Sequence, residues 1–239
     1  MLSVWSYSAP RPGNLTNLAF FEDFNDTSGI DMDDTGDPGF NFYRRHPFGG
    51  GTSSLSSFSV GNSILTITPI EGDSNNNSSL WTSAGPNVGF AARGGAYFEA
   101  KIAFEERPPG ATGAPAFWMG PVESIYSPFE TPNLEVDFVE FFDTYFGTTI
   151  WYWEPGSPTV LFGGATDPGP GYNATQYHTY GFLWLPSDKM AVYVDGRLLR
   201  EITYSEEPLL GTSDDHGWAM TLGSGEGWPM HVDWVKVWQ

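Results

Sequence analysis

Apolar side chains recur at every second position along much of the chain, and almost nowhere at every third or fourth, so the pattern predicts strands with almost no helix. The clearest case is 96–104, where Tyr97, Glu99 and Lys101 alternate with Phe98, Ala100, Ile102 and Phe104. The same reading predicts strands over 64–70, 116–120, 134–142, 148–153, 178–185, 190–195, 198–203, 218–222 and 232–238. Turn residues separate them: Arg93-Gly94-Gly95, Pro108-Pro109-Gly110, Asp195-Gly196 and the stretch from Gly223 to Pro229. Asp195-Gly196 between two alternating runs is the strongest hairpin signal. Many short strands at this spacing predict an all-β sandwich or barrel. Segments 31–39 and 72–79 read as surface loops; the first is acidic, yet it has no acid where a twelve-residue calcium loop needs its last ligand.

One predicted strand departs from the pattern. Asn133-Leu134-Glu135-Val136-Asp137-Phe138-Val139-Glu140-Phe141-Phe142 sets three acids in a strongly apolar run. An unpaired buried carboxylate is very costly, so these acids belong on the open face of a strand buried on its other side. Glu135 and Asp137 share a face by alternation, but Glu140 has the opposite parity. One extra residue near Phe138–Val139, a β-bulge, would return Glu140 to the face of the other two. Three carboxylates would then line one groove. Retaining cleavage of a glycosidic bond needs such a set, with two carboxyls about 5–5.5 Å apart, one to attack the anomeric carbon and one to protonate the leaving oxygen. In that chemistry Glu135 would be the nucleophile and Glu140 the general acid/base. Asp137 would hydrogen-bond the nucleophile, and its charge would help hold the proton on Glu140. The alternative is a solvent-facing acidic strand on an acidic protein.

Composition narrows the classes. The 239 residues suit one large all-β domain over 1–239, long enough to bury a core without covalent staples. There is no cysteine, which removes disulfides and thiolate metal sites. The formal net charge of -19, from 29 acids against 10 bases, argues against nucleic acid and against an anionic membrane surface. No stretch approaches transmembrane length, and the opening MLSVWSYSAPRPGN lacks a basic head followed by an apolar run. Asn14, Asn25, Asn76, Asn77 and Asn173 each begin an Asn-x-Ser/Thr triplet.

At the carboxylate strand the sequence resembles glycoside hydrolase family 16, the laminarinase, agarase and carrageenase group, whose signature is Glu, one residue, Asp, one or two residues, then Glu. The string EVDFVE is similar to its longer, bulged form. FFEDFN (20–25) resembles the family's opening strand, and GNSILTITP, WTSAG and GGAYFEAKI resemble those that follow. GAPAFWMG (113–120) resembles the segment that delivers a substrate-lining tryptophan before the catalytic strand. YHTYGFLWLPSDKMAVYVDG (177–196) and VDWVKVWQ (232–239) resemble the late strands. The resemblance implies a jelly-roll β-sandwich of the concanavalin A-like type with a concave substrate cleft. It also implies a retaining, endo-acting hydrolase of β-1,3- or mixed-linkage glucan, or of a galactan, working by double displacement without a cofactor. A transglycosylase that remodels polysaccharide, or a non-catalytic carbohydrate-binding sandwich, would share much of the pattern. The expected protein is a monomer with a polysaccharide partner, located extracellularly or in a periplasm.

Sugar rings present apolar faces, so aromatic platforms are expected beside the acids. Trp118 and Trp228 match the family's cleft tryptophans, and Trp151 and Trp153 share a face of the strand after the acids. Trp184 and Trp234, among apolar neighbours, are expected in the core. Family members acting on β-1,3-glucan commonly carry histidine where this chain has Trp151, and the segment from Gly223 to Val232 is shorter than usual. Arg44 lies in the only basic cluster, Tyr43-Arg44-Arg45-His46, and would either meet an anionic sugar or pair with an acid. Asp23 and Asp233 match positions where family members hold a structural Ca2+, although the first ligand there is usually Glu.

Overall fold

The computed structural model describes residues 14–45, 51–70, 78–85, 87–111, 113–125, 132–142, 145–154, 157–224 and 228–239. His46, the loop residues 72–77 and residues 225–227 of the late turn lie outside them. Strands are numbered along the chain. One sheet of eight runs β13 (Ser157–Thr166), β12 (Phe146–Glu154), β11 (Asn133–Phe141), β10 (Pro115–Pro121), β17 (Trp218–Ser224), β6 (Ser78–Trp81), β3 (Phe42–Tyr43) and β2 (Ile30–Asp31). The other runs β16 (Arg197–Thr203), β15 (Lys189–Val194), β14 (His178–Leu185), β9 (Ala96–Phe104), β18 (Met230–Trp238), β5 (Ile64–Ile67) and β4 (Phe58–Gly61), and β1 (Leu18–Glu22) also pairs with β18. A two-stranded ribbon joins β7 (Ser83–Gly85) to β8 (Val88–Gly89). Every pairing is antiparallel except that of β2 with β3. Among the described residues no helix is long and apolar enough to cross a membrane.

The two sheets pack face to face as a sandwich through the inward halves of their alternating patterns. Phe104 of β9 stacks on Phe141 of β11 at 4.6 Å between ring centres, and Phe182 of β14 stacks on Phe138 of β11 at 5.1 Å. Trp184 of β14 meets Trp218 of β17 at 5.5 Å. All six rings are buried, each worth roughly 1.5–3 kcal/mol of apolar transfer.

Every strand expected from alternation is present, with ends displaced by three residues at most, and β9 and β14 agree residue for residue. Asp195 (φ 48°) and Gly196 (φ 74°) close the β15–β16 hairpin with two left-handed residues, as an Asp-Gly turn requires. Two expectations change. Ser78 and Ser79 are buried strand residues of β6 rather than part of a surface loop. Asp31, at the head of the acidic loop, is buried and spends its carboxylate on the N–H groups of Thr35 (3.0 Å) and Gly36 (2.7 Å), so the loop folds on itself.

Candidate active site

Strand β11 turns Leu134, Val136, Phe138, Val139 and Phe141 into the core between the sheets. Against β12, Asp137 pairs with Thr149 and Glu140 with Gly147, leaving Phe138 and Val139 together opposite Thr148 alone. Two residues against one define a bulge, and the register with β10 shifts at the same place, between Phe117 and Trp118. The bulge carbonyl is not left bare, because Thr148 Oγ1 donates to the oxygen of Phe138 at 3.1 Å. With the extra residue absorbed, Glu135, Asp137 and Glu140 lie on the outer face of the sheet.

That face is screened from water, and the electrostatics follow. Burial raises Glu135 from its ordinary 4.5 to about 7, with the charge of Glu140 adding to the rise. The Trp153 indole acts in the opposite sense by hydrogen-bonding the ionised form. Asp137 is held well above the usual carboxylate range by burial and then by the charges of Glu135 and Glu140. Glu140 is raised by burial. Burial is the larger part of this, and repulsion between Asp137 and Glu140 adds to it. Asp137 is the most deeply set of the three, and loss of water raises all of them. With Glu135 at about 7 and the other two raised, the group can hold a proton and a negative charge side by side, the pairing that protonation of a leaving group and nucleophilic attack both need.

The register lays aromatic rings across the same face. Trp118 stands opposite Asp137 on one side, and Trp151 stands opposite Glu135 on the other. Trp118 is only 9% exposed and packs edge-on against Trp81 at 4.5 Å, so it forms a sealed wall rather than an open platform. Trp151 and Trp153 are half-buried, with ring centres 6.3 Å apart, and the Trp151 Nε1–H donates to Asp137 Oδ2 at 3.0 Å. Beyond them, β13 sets Val160 opposite Trp151 and Pro158 opposite Trp153, both exposed. Sequence reasoning missed Trp81 and this edge strand. Trp81 lay in the segment WTSAG, but nothing there indicated that it would back Trp118. Ser157–Thr166 shows no alternation because most of its positions are exposed.

Two candidate sites, Trp228 and Arg44, are corrected. Trp228 is fully buried in the main core, 6.4 Å from Phe141, and its carbonyl accepts a bond from the Ser224 hydroxyl. Arg44 is buried as well and donates to the carbonyls of Ser53 (2.5 Å) and Met32 (2.6 Å), which makes it a loop tie; its neighbour Arg45 forms the ion pair, with Asp34 at 3.1 Å. Asp233 meets the Lys101 ammonium at 2.6 Å, and Asp23 accepts from the Asn25 amide at 2.7 Å. A lysine cation already answers Asp233, and no three His, Asp or Glu side chains gather among the described residues. Trp184 is in the core as expected, whereas Trp234 is half-buried beneath the Lys236 ammonium, which lies 4.0 Å over its ring. A cavity of about 310 Å3 bounded by Glu105, Glu106, Arg107, Phe141, Tyr172 and Thr175 has none of the three carboxylates in its lining.

No family model matches the chain, and no curated protein does. Solved structures do. The catalytic domain of an endo-1,3-β-glucanase (laminarinase) from Thermotoga petrophila is similar at a TM-score of 0.66 and 18% identity, over 93% of this chain and 97% of that one. An endo-1,3-β-glucanase from Streptomyces sioyaensis is similar at 0.65 and 24% identity, over 96% and 98%. A GlcNAcα1-4Gal-releasing endo-β-galactosidase from Clostridium perfringens is similar at 0.65 and 17% identity, over 97% of this chain and 65% of that one. At these identities the likeness is one of fold, and the chain has the jelly-roll sandwich of these enzymes.

Proposed function

We propose that this protein is an endo-acting glycoside hydrolase of family 16 type that cleaves an uncharged β-linked polysaccharide with retention of configuration. The observation that carries the reading is the bulge at Phe138–Val139, which brings Glu140 to the face of Glu135 and Asp137. Glu135 attacks the anomeric carbon as Glu140 gives its proton to the leaving oxygen; water, deprotonated by Glu140, then releases the sugar from Glu135. Asp137 shares a proton with the neighbouring carboxyls and so spreads the negative charge. The endo-acting glucanases and the galactosidase of the same fold support β-linked glucan or galactan as substrate.

The restriction to uncharged chains comes from the cations. Each described lysine and arginine is engaged elsewhere: Arg93 with Glu123, Lys101 with Asp233, Lys189 with Glu201, Arg107 and Arg197 on main-chain carbonyls, Arg200 on the carbonyls of Gly163 and Gly164, and Lys236 over Phe21 and Trp234, besides Arg44 and Arg45. None of the described cations faces the three carboxylates to balance a sulfate or uronate, and the chain carries -19 overall. New reducing ends are expected from laminarin, mixed-linkage glucan or agarose, and none from carrageenan. Folded protein that releases nothing from all three neutral polymers would sink the hydrolase reading, and cleavage of carrageenan alone would sink the charge argument.

A further inference from the structure

We infer that Trp151 is a positioning residue for Asp137: its indole N–H fixes Oδ2 as an acceptor and leaves Oδ1 as the oxygen that meets a neighbouring carboxyl. The inference rests on the reading of Glu135, Asp137 and Glu140 as the reacting group. It departs from the expected role of this tryptophan as a sugar platform.

The geometry is a single directed contact, 3.0 Å from Nε1 to Oδ2, made by a half-buried side chain on the neighbouring strand. An indole N–H is a donor with no acceptor capacity and no titration of its own, so it offers its proton at every pH. A protonated carboxyl has one oxygen that accepts well and one that donates, and the fixed donor selects Oδ2 for the first part. The remaining oxygen is then the one that can donate to a neighbouring carboxylate. The surroundings leave no rival partner of opposite charge. Glu135 and Glu140 flank Asp137 on β11; Trp118 faces it from β10, and Thr149 and Trp151 face it from β12. Only the two glutamates are charged, and both push the proton onto Asp137, whereas the indole bond alone favours the ionised form. Trp153, two residues on and on the same face, acts in the same sense on Glu135. A ring held by an in-plane bond to the acid beside it has its rotation fixed, which suits a positioning part better than adaptive stacking on a sugar.

The test reads the bond directly in the whole protein. In 15N spectra, the Trp151 indole resonance is expected to shift with pH in step with Asp137, with a midpoint above the ordinary Asp range. In W151F, which keeps a ring and loses the donor, the 13C carboxyl midpoint of Asp137 is expected to rise. On a neutral β-glycan its kcat is expected to fall about 10- to 100-fold, the size of one hydrogen bond to a charged group, with KM changed less than threefold. A risen KM with intact kcat and an unmoved Asp137 midpoint would overturn the inference in favour of a platform. Should W151F not fold, the wild-type indole resonance decides, and its indifference to pH between 4 and 9 would overturn the positioning role. If no glycan is cleaved, the active-site reading fails, while the two titrations still report on the bond.

Discussion

Glu135→Gln is expected to lower kcat by at least about 10^4-fold while leaving the sandwich folded and more heat-stable at pH 8. The loss follows from chemistry: an amide is nearly isosteric with the carboxyl but has no negative oxygen to attack the anomeric carbon. Emptying the position with Glu135→Gly should let azide take its place. The azide nitrogen bonds the anomeric carbon from the vacated side, the glycosidic C–O bond breaks, and the Glu140 proton goes to the leaving sugar. The gain in stability follows from the same burial. Folding raises Glu135 from 4.5 to about 7. Between those values the folded protein therefore binds more protons than the unfolded chain, and its stability falls as pH rises through that window. At pH 8 the full cost of the buried charge is present, on the order of 3 kcal/mol, and the amide removes it. At pH 4 both states are protonated and the variant gains nothing. Thermal melts at the two pH values check the sign; full turnover in Glu135→Gln would dismiss the nucleophile assignment.

Phe138→Ala is expected to lower stability by about 3–5 kcal/mol, a Tm drop on the order of 10 °C for a chain of this length. Phe138 is one of the two bulge residues, and its ring is fully buried between Phe117, edge-on at 4.2 Å, and Phe182, stacked at 5.1 Å. The substitution leaves a cavity at the point where the bulge is anchored to both sheets, so activity should fall together with stability as Glu140 loses its fixed position. Val160→Ala, on an exposed edge, is the control and should stay within about 0.5 kcal/mol of the parent. A Phe138→Ala protein as stable as that control would mean that the bulge is held by something other than this ring packing.

The bulge was legible in the sequence because three acids in an apolar strand leave few alternatives: parity sends Glu140 inward, and the cost of a bare buried carboxylate sends it back. Strand β9 was legible to the residue because one of its faces is wholly core. β13 was not, since a strand exposed along most of its length needs no alternation. The direction in which a loop side chain turns was also hidden. Trp228 could face cleft or core on sequence grounds, and it was drawn inward against Phe141. Charge was visible at Arg44 and Asp233, but partner choice was not: a guanidinium took main-chain carbonyls, and an expected calcium ligand took a lysine. The rise of the Asp137 pKa was hidden for a related reason. Spacing places charges next to one another, whereas the depth of Asp137 beneath Trp118 and Trp151 is a property of the packed sheet.

The central claim is that the bulged strand brings two carboxylates together for double displacement. It is tested most directly by following the first product of a neutral β-glycan by 1H NMR before mutarotation. The account predicts that the newly formed reducing end appears first as the β anomer and only later equilibrates; first appearance of the α anomer would mean a single inverting attack by water and would contradict it.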